Sequence, residues 1–417
     1  PQLAAFAREL SPAFMRIGGS GANILFYHFG DDAGKQHPAR YVWHWKQWTV
    51  ANTSAKYLEP ALWESVCKLS VAAGAKLVLN VNMIQFAEDG GHNMKQLLQW
   101  TIGKGYRIHH VEPSNELGTP PVSVLQGMHN LLVELYPDEQ ARPGLIGSDD
   151  GECPPCADLM RAQCKNASVP LFAANYHKYS DCDKVLSPQD VANISAFSYA
   201  DGAETWIGEA ASCGSGGHPG VSDTFASGFW YMQHLGRLAQ LNHRVFLRQS
   251  LIGGNYGLLR DRFWDKNMTG DAVLPNTDYF VAVLFKRQMG NDVFATQPSK
   301  DGKVLAYAHC ARQHPGGGLA VALINFDTSV RSTSVQAVGG GSLDGARIEY
   351  ILTAAGGERD GPYSQFAQLN GGGTPLASAK DLADGAKAGK GATVTLPPQS
   401  FGVVVWPGAG VALCGGS

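Results

Sequence analysis

From the first residues to about position 290, short apolar runs alternate with stretches whose apolar residues recur at helical spacing. That alternation predicts repeated βα units and a parallel sheet. The strand candidates are 13–19, 76–83, 107–116, 144–149, 170–179, 204–210 and 244–253. Most read as continuous apolar runs, as expected for strands covered on both faces. A helix is predicted after the sixth, capped by Ser222, with Asp223 in its first turn and Phe225, Phe229, Met232, Leu235 and Leu238 on one stripe. A further helix is expected over 278–289. Beyond 290 the period changes to two, with strands at 304–311, 319–326, 329–337, 348–353 and 392–406 separated by Gly-rich turns, the pattern of an antiparallel β-sandwich. The glycines at 339–341 and 371–373 read as turns, because no strand–loop–helix unit contains them. The expected organisation is a (β/α)8 barrel over 1–290 and a β-sandwich over 291–417.

Composition narrows the class. A chain of 417 residues, 44% hydrophobic and 17% charged, has enough apolar material for a large core and a smaller one. No apolar run reaches the roughly 18 residues of a membrane span. A formal charge of −3 gives no general attraction to nucleic acid or to anionic membranes. No Lys/Arg run supplies a basic patch for a polyanion, which favours a weakly charged substrate. Eight cysteines, four of them bunched as Cys153, Cys156, Cys164 and Cys182, suggest disulfides in an oxidising compartment. The Cys153–Cys156 spacing also suits zinc, but no second paired Cys or His segment follows, so no metal site is expected. Sequons at Asn52, Asn166, Asn193 and Asn267 are acceptors in a secretory pathway. The sequence begins at Pro1, without an initiator Met or a signal peptide, so the true start is expected to lie upstream or to have been processed away, and targeting has to be read indirectly. Together these features suggest a secreted, lysosomal or vacuolar protein.

Catalytic groups of such barrels sit at the carboxyl ends of strands. Two strand ends stand out: Glu112-Pro113-Ser114-Asn115-Glu116 and Trp206-Ile207-Gly208-Glu209. Retaining glycosidases need two carboxyl groups, one protonated to release the leaving oxygen and one ionised to attack the anomeric carbon. An amide beside the acid, as at Asn115, can hydrogen-bond the sugar 2-hydroxyl. Each glutamate alone is more often an ordinary surface or ion-paired carboxylate. Glu112, Asp201 and Glu204 lie nearby but are not the last polar residues of their strands.

Leu10-Ser11-Pro12-Ala13-Phe14-Met15-Arg16-Ile17-Gly18-Gly19, the strand 105–108 followed by Asn115-Glu116-Leu117, Gly208-Glu209, Ser222-Asp223-Thr224-Phe225, Arg248-Gln249 and Gly253-Gly254-Asn255-Tyr256 together resemble the heparanase/β-glucuronidase family. The resemblance covers nearly the whole chain. It implies a (β/α)8 barrel with a C-terminal β-sandwich and a retaining hydrolase without cofactor. It makes Glu116 the acid/base and Glu209 the nucleophile, with His177 and Tyr179 orienting the nucleophile. It assigns the uronic acid to Gln249, Tyr256 and the backbone of Ser215-Gly216-Gly217, and places Ser20 where the family has threonine. It also implies a Cys310–Cys414 bridge. The family's tyrosine beyond the nucleophile is absent from Cys213-Gly214-Ser215, and its earlier Asp-x-Asn strand would have to precede Pro1. An eighth barrel strand is therefore expected from a missing N-terminal segment, a small subunit or an unusual closure. The implied partner is a polysaccharide or glucuronide, cut within the chain or from its end. A catalytically silent polysaccharide-binding protein on the same scaffold is the alternative.

Overall fold

The computed structural model describes residues 2–37, 41–44, 47–50, 56–147, 151–191, 194, 202–266, 268–338, 340–356 and 361–415. The chain forms two compact units that interleave in sequence. The first comprises Pro1–Lys178, Ser198–Ala210 and Arg244–Leu247; the second comprises Tyr179–Phe197, Ala211–His243 and Arg248–Ser417.

The first unit is built on a parallel barrel sheet whose seven strands run in sequence order. They are β1 (Ala13–Ile17), β2 (Ala75–Val81), β3 (Ile108–Pro113), β4 (Gly144–Gly147), β5 (Ala173–Tyr179), β6 (Glu204–Ala211) and β7 (Val245–Arg248). All seven lie where the apolar runs predict. Helices Pro60–Ala73, His92–Gly103, Val122–Leu135 and Pro154–Asn166 fill the connections. Trp63, Leu97, Leu98, Leu125, Met128 and Met160 pack against Leu77, Leu79, Val111 and Leu145 from the strands in one core. A second cluster of Val78, Ile146, Ala173, Trp206 and Leu247, with Phe14 against it, comes from the alternate strand positions. Period-two side-chain alternation therefore gives the sheet two apolar faces.

Two ends differ from the sequence expectation. β3 stops at Pro113, not at Glu116, because the chain turns through left-handed backbone at Ser114 (φ 57°) and Glu116 (φ 55°). β7 stops at Arg248, not at Gly253, and the following glycines Gly253 and Gly254 have φ 106° and 69°. Neither turn leaves a mark on hydrophobic periodicity.

The second unit holds a seven-stranded antiparallel sheet. Met289–Phe294, Val304–Ala311, Leu319–Asn325, Ser400–Trp406, Ala346–Ala355 and Phe366–Leu369 pair in that order, and Lys387–Lys390 also pairs with Ala346–Ala355. One face meets the small sheet Arg331–Ser334/Thr393–Leu396 through Val321, Leu323, Val394, Leu396, Val404 and Trp406. The other carries helices Phe225–Gln240 and Thr277–Gln288. Phe225 stacks on Phe401 with ring centroids 4.7 Å apart. A Cβ at Gly236 would stand 2.1 Å from the Tyr307 ring, so glycine lets helix and sheet meet. The strand expected over 392–406 is two strands, because Pro397 and Pro398 interrupt it. Ser222 does not cap the first helix: Thr224 holds that position, and the Ser222 hydroxyl donates to Asn255 O.

Cys310 and Cys414 are bridged, with sulfurs 2.00 Å apart. Cys153 pairs with Cys156 and Cys182 with Cys213, while Cys164 is a buried free thiol, as is Cys67. Asn166 is exposed at the end of its helix; Asn52, Asn193, Asn267 and Asp201 lie outside the described residues.

Candidate active site

In the first unit, Arg16 comes from the end of β1 with a side chain only 7% exposed. An arginine there needs anions, since an unpaired buried charge is costly. Its Nε donates to Glu112 Oε2 at 2.5 Å, its Nη1 to Glu209 Oε2 at 2.9 Å and its Nη2 to Asn115 Oδ1 at 3.0 Å. One rigid guanidinium thus holds side chains from three places in the sequence. Gly18 makes room for it: a Cβ there would stand 2.9 Å from Arg16 Cζ and 2.8 Å from Asn80 Cβ.

Glu112 is 1% exposed. Besides Arg16 it accepts hydrogen bonds from Asn80 Nδ2 at 3.1 Å and from Asn175 Nδ2. Asn175 sits against Gly208, where a Cβ would stand 2.5 Å from Asn175 Nδ2. The glycine before Glu209 therefore makes room for a neighbouring strand's side chain.

The segment after Pro113 is held from several sides. Asn80 Nδ2 donates to Ser114 O, Asn23 Nδ2 donates to Asn115 O at 2.7 Å, and Asn115 N donates to Asn23 Oδ1 at 2.8 Å. Left-handed backbone at non-glycine residues costs on the order of 1–3 kcal/mol each, and these bonds pin the turn between Ser114 and Glu116. With Oδ1 accepting from Arg16, the Asn115 amide nitrogen is the group left to donate to a ligand hydroxyl. The Glu116 side chain is 41% exposed, and its Oε1 lies 2.7 Å from His177 Nδ1. The imidazole is fully buried. His177 N donates to Gly151 O at 2.8 Å. Glu209, at the end of β6, is 8% exposed. Ser20 is exposed and opens the short 3-10 turn Ser20–Ile24 that carries Asn23. Glu204 accepts from Trp206 Nε1 at 2.7 Å.

The remaining candidates belong to the second unit. Tyr179 is half-buried there at the end of β5. Ser215, Gly216 and Gly217 all have positive φ, at 53°, 92° and 81°. Their turn packs against the 253–256 segment: Asn255 N donates to Gly216 O at 2.7 Å, and a Cβ at Gly217 would stand 2.9 Å from Tyr256 N. Gln249 Nε2 lies 3.4 Å from the hydroxyl of Tyr256, which is 8% exposed. The sequence elements read as a uronate pocket are thus neighbours within this unit.

Sequence reasoning did not select Arg16, Asn23, Asn80 or Asn175 as site residues and set Glu112 aside. The usable signal was a polar residue interrupting an apolar strand, as in Leu77-Val78-Leu79-Asn80-Val81. Such a residue points into a polar layer or is paired. Among the described residues no group of three or more His, Cys, Asp or Glu side chains could hold a metal ion. No helix among them is long and apolar enough to cross a membrane.

A parallel barrel whose strand ends join Asn115 and Glu209 through Arg16 and set Glu116 against a buried histidine is the architecture of a glycoside hydrolase. The glycosyl hydrolase family 79 N-terminal domain profile matches residues 183–236. Heparanase-like protein 3 of Arabidopsis thaliana is 34% identical over 90% of this chain and 77% of its own length. Baicalin-beta-D-glucuronidase of Scutellaria baicalensis is 27% identical over 87% of this chain and 74% of its own. Heparanase-like protein 2 of Arabidopsis thaliana is 28% identical over 67% of this chain, and the match spans 56% of that relative. A family 51 α-L-arabinofuranosidase from Bifidobacterium longum shares the fold, with a TM-score of 0.57 at 14% identity over 97% of this chain and 89% of the other. The chain belongs to glycosyl hydrolase family 79, the heparanase and β-glucuronidase family.

Proposed function

We propose that the protein cleaves β-linked glucuronic acid with retention of configuration. The observation that carries this reading is the single guanidinium of Arg16 bound to both Glu209 and Asn115. It fixes a carboxylate and an amide relative to each other within the first unit. Glu209 attacks the anomeric carbon, forming a glycosyl ester as the bond to the leaving oxygen breaks. The bonding pair goes to that oxygen, which takes the proton of Glu116. Glu116 then removes a proton from water, which attacks the anomeric carbon and releases Glu209. The Asn115 amide donates to the sugar 2-hydroxyl. His177, which the resemblance sets on the nucleophile, is in contact with Glu116 and orients the acid instead.

The substrate carboxylate is assigned to Gln249, Tyr256 and the backbone N–H groups of Ser215, Gly216 and Gly217, with Ser20 near the sugar. Neutral donors at glycine-rich backbone can bind a carboxylate without a basic side chain. The catalytic domain spans 1–290 and the β-sandwich 291–417. Disulfides and the exposed Asn166 sequon support an extracellular, lysosomal or vacuolar location. The substrate is a glucuronide or a glucuronic acid-containing polysaccharide, the reading that the glucuronidase relative supports.

The test is chemical rescue. Glu209→Gln should abolish turnover of an aryl β-glucuronide. Glu116→Gln should still be glycosylated by substrates with very good leaving groups, stall at the intermediate, and yield β-glucuronyl azide when azide is added, because that anion needs no general base. Failure of rescue in folded protein, or rescue only in a Glu112 variant, would move the acid/base role away from Glu116. Wild-type protein that binds oligosaccharide without turning over any glucuronide would favour the silent binding protein.

A further inference from the structure

Glu112 is joined through Arg16 to two of the groups to which the chemistry is assigned, Asn115 and Glu209. It is 1% exposed, and three hydrogen-bond donors, Arg16, Asn80 and Asn175, converge on it. A carboxylate this deeply enclosed carries a desolvation cost that a neutral residue would avoid. Its position has a definite electrostatic consequence. Arg16 faces two carboxylates, Glu112 through Nε and Glu209 through Nη1. Without Glu112 the whole cation would act on Glu209. That would hold negative charge on the Glu209 oxygens, weakening them as a nucleophile and improving them as a leaving group.

We propose that Glu112 is a positioning residue that shares the charge of Arg16 and so sets the nucleophilicity of Glu209, while anchoring the guanidinium that aims the Asn115 amide. This rests on Glu209 being the nucleophile. It predicts an asymmetry between the two chemical steps. Formation of the glycosyl ester needs Glu209 to push electrons onto the anomeric carbon; hydrolysis of the ester needs Glu209 to accept them back. Removing the charge of Glu112 therefore slows the first step and spares or speeds the second. A residue that only supported the fold would slow both.

Two variants separate charge from packing. Glu112→Gln keeps the shape and removes the charge. Glu112→Gln combined with Asn175→Asp restores a carboxylate–amide pair and the net charge, but moves the charge one side chain away from Arg16.

Labelling wild-type protein with a 2-fluoro-glucuronyl inactivator comes first. If a carboxylate other than Glu209 carries the label, the nucleophile assignment fails and this proposal fails with it. With the label on Glu209, pre-steady-state kinetics on a dinitrophenyl β-glucuronide read the two steps separately. The expected result for Glu112→Gln is a glycosylation rate at least tenfold lower, a deglycosylation rate equal to or above wild type, and a Michaelis constant for binding within about threefold. The double variant should recover thermal stability but not the glycosylation rate. Equal slowing of both steps in Glu112→Gln, or recovery of glycosylation in the double variant, would show Glu112 to be structural and overturn the proposal while leaving Glu209 as the nucleophile.

Discussion

Gly208 and Asn175 show how closely the residues of the first unit's polar layer are fitted. Asn175 has a short side chain and is bonded to Glu112, so it cannot swing away from a new methyl group 2.5 Å from its nitrogen. Gly208→Ala is expected to destabilise the protein by about 1–3 kcal/mol, the usual cost of overpacking. It should also lower kcat well beyond what that loss explains. Urea unfolding alongside steady-state kinetics checks both halves, and an unchanged kcat would disconnect this layer from catalysis.

At the other residues of β3 the issue is protonation. Burial, then His109 and Lys76, pushes His110 down to about 4; burial, then Arg107 and Lys76, does the same to His109. Leu77 N donates to His109 Nδ1 at 3.2 Å, which requires that nitrogen to be unprotonated. His110 lies among Phe14, Phe172 and Trp206. The unfolded chain, with histidines near 6.5, binds more protons than the folded one between about 4 and 6.5, so stability falls as pH drops through that window. His110 alone accounts for up to about 3 kcal/mol of that fall. His110→Phe keeps an aromatic ring and removes the titration. Its unfolding free energy should therefore vary less than wild type between pH 6.5 and 4. An identical slope would mean that His110 is not held neutral.

Among elements, the C-terminal turn is the clearest case of a covalent tie doing what local sequence cannot. Val411 N donates to Gly317 O, Gly317 N donates to Cys414 O, and the Cys310–Cys414 bridge closes a separation of 104 residues. In the chain-entropy view a loop of that size contributes on the order of 4–5 kcal/mol. Replacing both cysteines with serine should lower stability by that order in non-reducing buffer. Wild type treated with reductant under denaturing conditions and refolded with its thiols blocked should match the variant. Equal stability of the variant and the oxidised wild type would refute it.

For the whole molecule, the proposed retaining mechanism makes a stereochemical forecast. Two carboxyl groups about 5–5.5 Å apart deliver retention, whereas roughly 6.5–9.5 Å leaves room for a water and gives inversion. Proton NMR of the first-formed sugar should therefore show the β-anomer of glucuronic acid. Release of the α-anomer would remove the nucleophile role from Glu209 without touching family membership.

What the sequence determined by itself was the order of elements and the ends that carry carboxylates. All seven barrel strands and the helices Phe225–Gln240 and Thr277–Gln288 followed from the spacing of apolar residues, because burial selects that spacing directly. Glu116 and Glu209 stood out as polar residues closing apolar runs. The tertiary structure alone decided that Arg16 joins Glu112, Asn115 and Glu209, since the parallel sheet brings together segments nearly a hundred residues apart that share no local pattern. It also decided that β3 ends at Pro113 and that Cys164 stays a thiol while Cys182 pairs with Cys213. Periodicity records which face of an element is buried. It does not record which polar groups meet across the fold, because that depends on distances between segments far apart in the chain.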